Sequence, residues 1–185
     1  MRKNFGPKPW LFPLPVLMIA TYDQDGNPDV MNAAWGGLYD GGKVILCLSA
    51  GHKTTQNIQQ RKAFTLSFAD AAHEKEADYV GLVSANQVPD KLEKAGFHTE
   101  KSEYVDAPIV KEFPMALECK LIKFNEDGNI IGEIINVSAD ESILTPDGKI
   151  DSDKLEILSF DPVSNAYRKL GEKIGNAFQD GKALQ

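Results

Sequence analysis

The densest gathering of ligand-holding groups in this sequence lies between Val44 and Ile58. Val44-Ile45-Leu46-Cys47-Leu48-Ser49 reads as an apolar strand that stops at a hydroxyl. Ala50-Gly51-His52-Lys53-Thr54-Thr55 follows as a short polar turn, and a helix is predicted over Thr54–Arg61. Hydroxyls, an ammonium and free backbone N–H groups then converge at one helix N-terminus, an arrangement that suits a phosphate. Ser49, Lys53, Thr54 and Thr55 supply donors, Asn57 adds an amide, and His52 can add charge. The alternative is an ordinary helix start, with Thr54 as N-cap and Lys53 solvated.

The second feature is Met31-Asn32-Ala33-Ala34-Trp35-Gly36-Gly37. Small residues in a strand let another surface approach the backbone closely. A flat heteroaromatic ligand could lie against Ala33-Ala34, between the Asn32 amide and the Trp35 ring. The alternative is a strand packed tightly on a helix, with Trp35 in the core. Taken together, the two features describe a site for a ring system with a phosphate tail.

The elements that must position these residues are mostly short strands. Val16–Tyr22 and Asp29–Trp35 form a hairpin across Asp25-Gly26-Asn27-Pro28, and strands follow at Lys43–Leu48 and Ala63–Phe68. Met115–Phe124 and Asn129–Ser138 form a second hairpin, whose turn carries Asp127-Gly128. Leu155–Phe160 is a last strand. Helices are predicted at Glu74–Leu82, Pro89–Ala95 and Val163–Phe178, with residues 97–114 irregular. Residues 1–15 form a Pro-rich arm with Trp10, Leu11 and Phe12 as anchors, and Asp140–Asp153 is a polar insertion. Hairpin connections favour a mainly β, antiparallel barrel with a few peripheral α-helices over a doubly wound sheet. One domain over 1–185 is expected, with 163–185 as a C-terminal helix and tail.

Composition narrows the function classes. The 185 residues are 42% hydrophobic and 25% charged, a globular balance. A net charge of -7 without a basic arm argues against nucleic-acid binding. No apolar run reaches the roughly 20 residues of a membrane span, so a cytoplasmic protein with no membrane partner is expected. The two cysteines, Cys47 and Cys119, sit in apolar strand contexts and read as buried free thiols, and no metal site is expected. His73 and His98 read as surface residues, and Glu74, Glu76 and Asp78 as a solvated helix face. No catalytic constellation of the Ser-His-Asp or Cys-His kind is predicted.

Residues 12–138 resemble the flavin reductase-like proteins with an FMN-binding split barrel of Greek-key type, in particular their flavoredoxin-like branch. The resemblance rests on Asn32-Ala33-Ala34-Trp35, Cys47-Leu48-Ser49 and His52-Lys53-Thr54-Thr55-Gln56-Asn57-Ile58. It is extended by Phe64-Thr65-Leu66-Ser67, Asp78-Tyr79-Val80-Gly81, Ala107-Pro108-Ile109, Leu117-Glu118-Cys119 and Ile131-Gly132-Glu133. It implies that Asn32, Ala33, Ala34 and Trp35 flank an isoalloxazine ring and that Leu48 and Ser49 line the ribityl and phosphate path. Lys53 and Thr54, with Ser49, would hold the phosphate. Asn57 would brace the turn, and Ser67 stands where the family often has a flavin-contacting Asn.

The resemblance further implies a homodimer with flavin near its interface. The implied activity passes electrons from NADH or NADPH through FMN to a flavin, ferric or protein acceptor. The turn before Ile131-Gly132-Glu133 reads Asp127-Gly128-Asn129, where many nicotinamide-using members carry His. That departure favours the alternative of a flavoredoxin-like electron carrier, without its own nicotinamide site, that works with an electron-transfer protein partner.

Overall fold

Strand β2 (Leu17–Tyr22) organises the molecule, because both of its faces are buried. The computed structural model describes residues 1–185. β2 follows β1 (Leu14–Pro15) and precedes β3 (Pro28–Ala33), β4 (Gly36–Asp40), β5 (Lys43–Leu46), helix α1 (Lys53–Arg61) and β6 (Ala63–Phe68). Then come α2 (Glu74–Leu82), α3 (Lys91–Ala95), the β7 (Thr99–Lys101) and β8 (Pro108–Val110) pair, and the long β9 (Met115–Phe124) and β10 (Ile130–Ala139). β11 (Leu158–Asp161) and β12 (Ala166–Lys169) complete the strands.

Seven strands form one antiparallel sheet in the order β3-β2-β6-β9-β10-β5-β4. Its two edge strands, β3 and β4, are consecutive in the chain and separated only by Ala34 and Trp35. The sheet therefore curls until its edges meet at that corner, giving a half-barrel. Two register shifts between β9 and β10, at Ile131/Gly132 and Ile134/Asn136, add the twist such curling needs. At Gly132 a side chain is excluded: a Cβ there would lie 2.4 Å from Phe64 Cζ. This mainly β split-barrel architecture with three helices matches the expected fold class.

The period-2 alternation of β2 sorts its side chains into two cores. Leu17 and Ile19 join Val44, Leu46, Ile58, Phe64, Leu66, Cys119 and Ile130 in one cluster. Met18 and Ala20 face the other, with Val30, Ala77 and Val80 among its members. Ile58 brings α1 into the first core and Val80 brings α2 into the second, so one helix packs on each side of β2–β3. No helix is long and apolar enough to cross a membrane.

Several expectations are corrected. The strand expected over Asp29–Trp35 ends at Ala33, and Gly36–Asp40 is itself a strand that pairs with β5. Residues 97–114 contain the β7–β8 pair. No helix forms over Val163–Phe178; Ala166–Lys169 instead pairs with β11. The reason lies at Asp161, whose carboxylate accepts from the Val163 and Ser164 N–H groups and from Ser164 Oγ, folding a tight turn. Asn165 completes it at a φ of 54°, a region Asn tolerates. Trp10, Leu11 and Phe12 are exposed, and Trp10 packs locally on Phe5 of the same arm, with ring centroids 5.6 Å apart.

Candidate functional site

A cavity of about 510 Å³ opens where the barrel corner, the start of α1 and the end of α2 converge. That size falls within the roughly 300–1,000 Å³ of pockets that hold small molecules and cofactors. One wall is the small-residue stretch Ala33-Ala34, with Asn32 before it and Trp35 after it. Trp35 is half exposed and lies outside the core, its ring centroid 6.2 Å from that of Phe160. Phe160 in turn lies 6.1 Å from Tyr167. The aromatic side of the cavity is thus built by the β11–β12 hairpin, where a C-terminal helix had been expected.

The other end is basic. His52, Lys53 and Thr54 line it, and Leu48 and Cys47 lead toward it from β5. His52 is the N-cap of α1, and the helix begins at Lys53, one position before the expected start at Thr54. It makes no side-chain cap, and the first turn of α1 holds no acidic residue. An uncapped helix start with a lysine on it is a fitting place for an anion. Lys53 rests 3.5 Å from Asp23 on the β2–β3 turn. Arg61 points away from the cavity, donating to the Asp23 and Gln24 carbonyl oxygens.

Thr54 has a different partner from the one expected. Its Oγ1 donates to Asp29 Oδ2 at 2.8 Å, and both residues are buried. Asn57 lies outside the cavity lining and donates to Thr21 Oγ1 at 3.0 Å, tying α1 to β2. Ser49 is exposed and also outside the lining; its carbonyl accepts from Thr55 Oγ1 at 2.9 Å. Ser67 is buried between Met18 and Ala116 on the neighbouring strands, away from the cavity. Of the two cysteines, Cys119 is buried, whereas Cys47 is exposed at the cavity edge.

Asp78 belongs to no solvated face. Its carboxylate accepts from the Tyr167 hydroxyl at 2.6 Å, and burial followed by Asp78 pushes the Tyr167 phenol up to about 12. Of the two remaining histidines, His98 is exposed, while His73 is half-buried, 2.9 Å from Asp70 and edge-on to Phe113. The residues that sequence reasoning missed are Asp29, Lys91, Phe160 and Tyr167, all in the lining. Lys91 stands among Asp90, Glu93 and Lys94, so its own stretch gave no signal.

Comparisons with known proteins show the family and the fold. The profile of the family described as "Flavin reductase like domain" matches residues 10–149. The structure is similar to that of a flavoredoxin of Desulfovibrio vulgaris (Miyazaki F), with a TM-score of 0.94 and 39% identity over 98% of this chain and 100% of that one. A flavoredoxin from Methanosarcina acetivorans is similar at TM-score 0.89 and 25% identity, with both chains covered in full. An FMN-binding domain of a flavin reductase-like enzyme from Shewanella baltica shares the fold at TM-score 0.75 and 23% identity, over 88% of each chain.

Proposed function

Because the chain belongs to the flavin reductase-like domain family, we propose that its cavity binds FMN and that the protein is an oxidoreductase of the flavin reductase type. One observation carries this reading. A single cavity joins a flat wall of small and aromatic residues to an uncapped, lysine-bearing helix start. The residues present fit the two ends of FMN, a planar ring system and a phosphate. Asn32, Ala33, Ala34, Trp35 and Leu48 would flank the ring and its chain. Lys53, His52 and Ser49, with the N–H groups at Thr54, would hold the phosphate, and Asn57 and Ser67 would brace the surrounding elements.

The bound flavin would supply the electron chemistry, with NADH or NADPH as donor and a flavin, ferric or protein acceptor. The protein's own work is to bind, orient and exclude water. No nucleophile or general base is required. A homodimer fits the large apolar side chains Trp10, Phe12, Leu38 and Tyr39, which stay exposed in one chain.

A second reading is an FMN electron carrier that lacks a nicotinamide site. Two observations favour it: the Asp127-Gly128-Asn129 turn without His, and the 39% identity to a flavoredoxin. An absorption spectrum of purified protein, taken before and after anaerobic NADH and then NADPH, separates the two. Flavin bands that bleach with either nucleotide support the reductase. Bands that persist until dithionite is added support the carrier. A protein that shows no flavin bands after incubation with FMN overturns both.

A further inference from the structure

A polar chain, Asn32–Tyr167–Asp78, runs from the cavity lining into α2, and its middle member lies beyond the family match at residues 10–149. Asn32 stands on β3, Asp78 on α2 and Tyr167 on β12. Asp78 and Gly81 are three residues apart on α2 and share one helix face. That face holds Asn32 tightly: a Cβ on residue 81 would fall 1.9 Å from Asn32 Oδ1. The helix can sit here only because residue 81 is glycine.

The hydroxyl of Tyr167 has one proton, and it is donated to the Asp78 carboxylate at 2.6 Å. Toward Asn32 the phenol oxygen can therefore only accept. Asn32 Nδ2 lies 3.4 Å from it and donates. The polarity of the chain selects one of the two orientations of the Asn32 amide. A flipped amide would set Oδ1 against the phenol oxygen, acceptor to acceptor. The tilted contact of Tyr167 with Phe160, at an interplanar angle of 57°, does not depend on the hydroxyl, so the two roles of the ring are separable.

We infer that Tyr167 is a positioning residue for Asn32: held by Asp78, it fixes which edge of the Asn32 amide faces a flavin ring in the cavity. This rests on the flavin reading above. It also gives the β11–β12 hairpin a role in the site that the matched family region does not contain.

The test is a double-mutant cycle read by flavin fluorescence titration, with FMN and riboflavin as probes. Tyr167→Phe keeps the ring and removes the hydroxyl. It is expected to weaken both flavins alike, by about threefold to tenfold for one lost hydrogen bond, and to shift the visible absorption band of the bound flavin. In an Asn32→Ala background the same change is expected to add less than about twofold, because its effect passes through Asn32. If Tyr167→Phe weakens binding equally in both backgrounds, or not at all, the inference is overturned. Should circular dichroism show that Tyr167→Phe does not fold, Asp78→Ala breaks the same chain from its other end and carries the same expectations. Wild-type protein that binds neither flavin overturns the flavin reading itself, and the inference with it. Wild-type binding with no coupling overturns the inference alone.

Discussion

Lys91 Nζ lies 2.8 Å from Asp29 Oδ1, with each residue 2% exposed. The ammonium also donates to the Val80 and Val83 carbonyl oxygens at the end of α2, both at 3.3 Å. The second carboxylate oxygen of Asp29 accepts from Thr54. One buried pair thus ties α3, α2, β3 and α1 together at the cavity wall. Such a pair adds little net stability when intact, because desolvation offsets attraction, but removing one half strands the other charge. Lys91→Met is expected to lower the unfolding free energy by about 3–5 kcal/mol in urea titrations. Adding Asp29→Asn is expected to restore part of the loss. A loss below about 1 kcal/mol in the single variant would show that the charge of Asp29 is met some other way.

Lys53 and Thr54 are neighbours in sequence, yet they are expected to fail differently. The Lys53 ammonium sits at the cavity with only a loose contact to Asp23. Lys53→Ala is expected to weaken FMN by about tenfold to a hundredfold, the worth of one charge-assisted contact, and to leave riboflavin unchanged. The Thr54 hydroxyl is spent on Asp29. Thr54→Ala is expected to cost about 1–3 kcal/mol of stability and to keep the ratio of FMN to riboflavin affinity near that of the wild type. Paired flavin titrations and urea unfolding of both variants decide this. Equal losses of FMN selectivity would return Thr54 to the phosphate.

Gly81 is the third position where one atom decides. An added methyl would overlap Asn32 Oδ1, and neither β3 nor α2 can retreat without opening the core around Val80 and Val30. Gly81→Ala is expected to destabilise by about 1–3 kcal/mol, the usual cost of overpacking, and to narrow the cavity. Thermal unfolding and flavin titration on the same sample check both effects. Wild-type values for both would mean that α2 floats freely over β3.

How much of this was legible in the residues depends on how local each signal is. The hairpins at Asp25-Gly26-Asn27-Pro28 and Asp127-Gly128 carry their own turn chemistry, β2 its continuous apolar run and β6 its own alternation, so they could be read directly. The strand at Gly36–Asp40 could not, because its glycines weaken strand propensity and only pairing with β5 offsets that. The segment after Val163 has helix-compatible spacing, but Asp161 folds the turn that sends Ala166–Lys169 back along β11. At the site, the Lys53 corner and the Ala33-Ala34 wall were readable from neighbouring residues. The links Thr54–Asp29, Lys91–Asp29 and Tyr167–Asp78 join positions from 25 to 89 residues apart, and nothing local announces them.

Cys119 gives the clearest dependence on pH. Burial, with Glu118 beside it in the chain, raises its thiol from the ordinary 9.0 to about 12. Glu118 is itself buried, accepting from Ser102 Oγ and from Asn136 Nδ2. A raised pKa means that the folded chain keeps a proton the unfolded chain gives up. Its contribution to stability is therefore whole below pH 9 and is lost as pH rises toward about 12. Across that window the unfolding free energy is expected to fall by about 1.4 kcal/mol per pH unit on account of this one thiol. Tyr167 adds a second decline of the same sign that begins one unit higher, at its ordinary 10.0, and also ends near 12. Urea titrations at steps from pH 8 to pH 11 separate the two. Cys119→Ala is expected to flatten the fall that begins at pH 9, and Tyr167→Phe only the part above pH 10. A wild-type slope retained in Cys119→Ala would mean that the thiol ionises within the fold, and that the barrel core around Phe64 and Ile134 admits water.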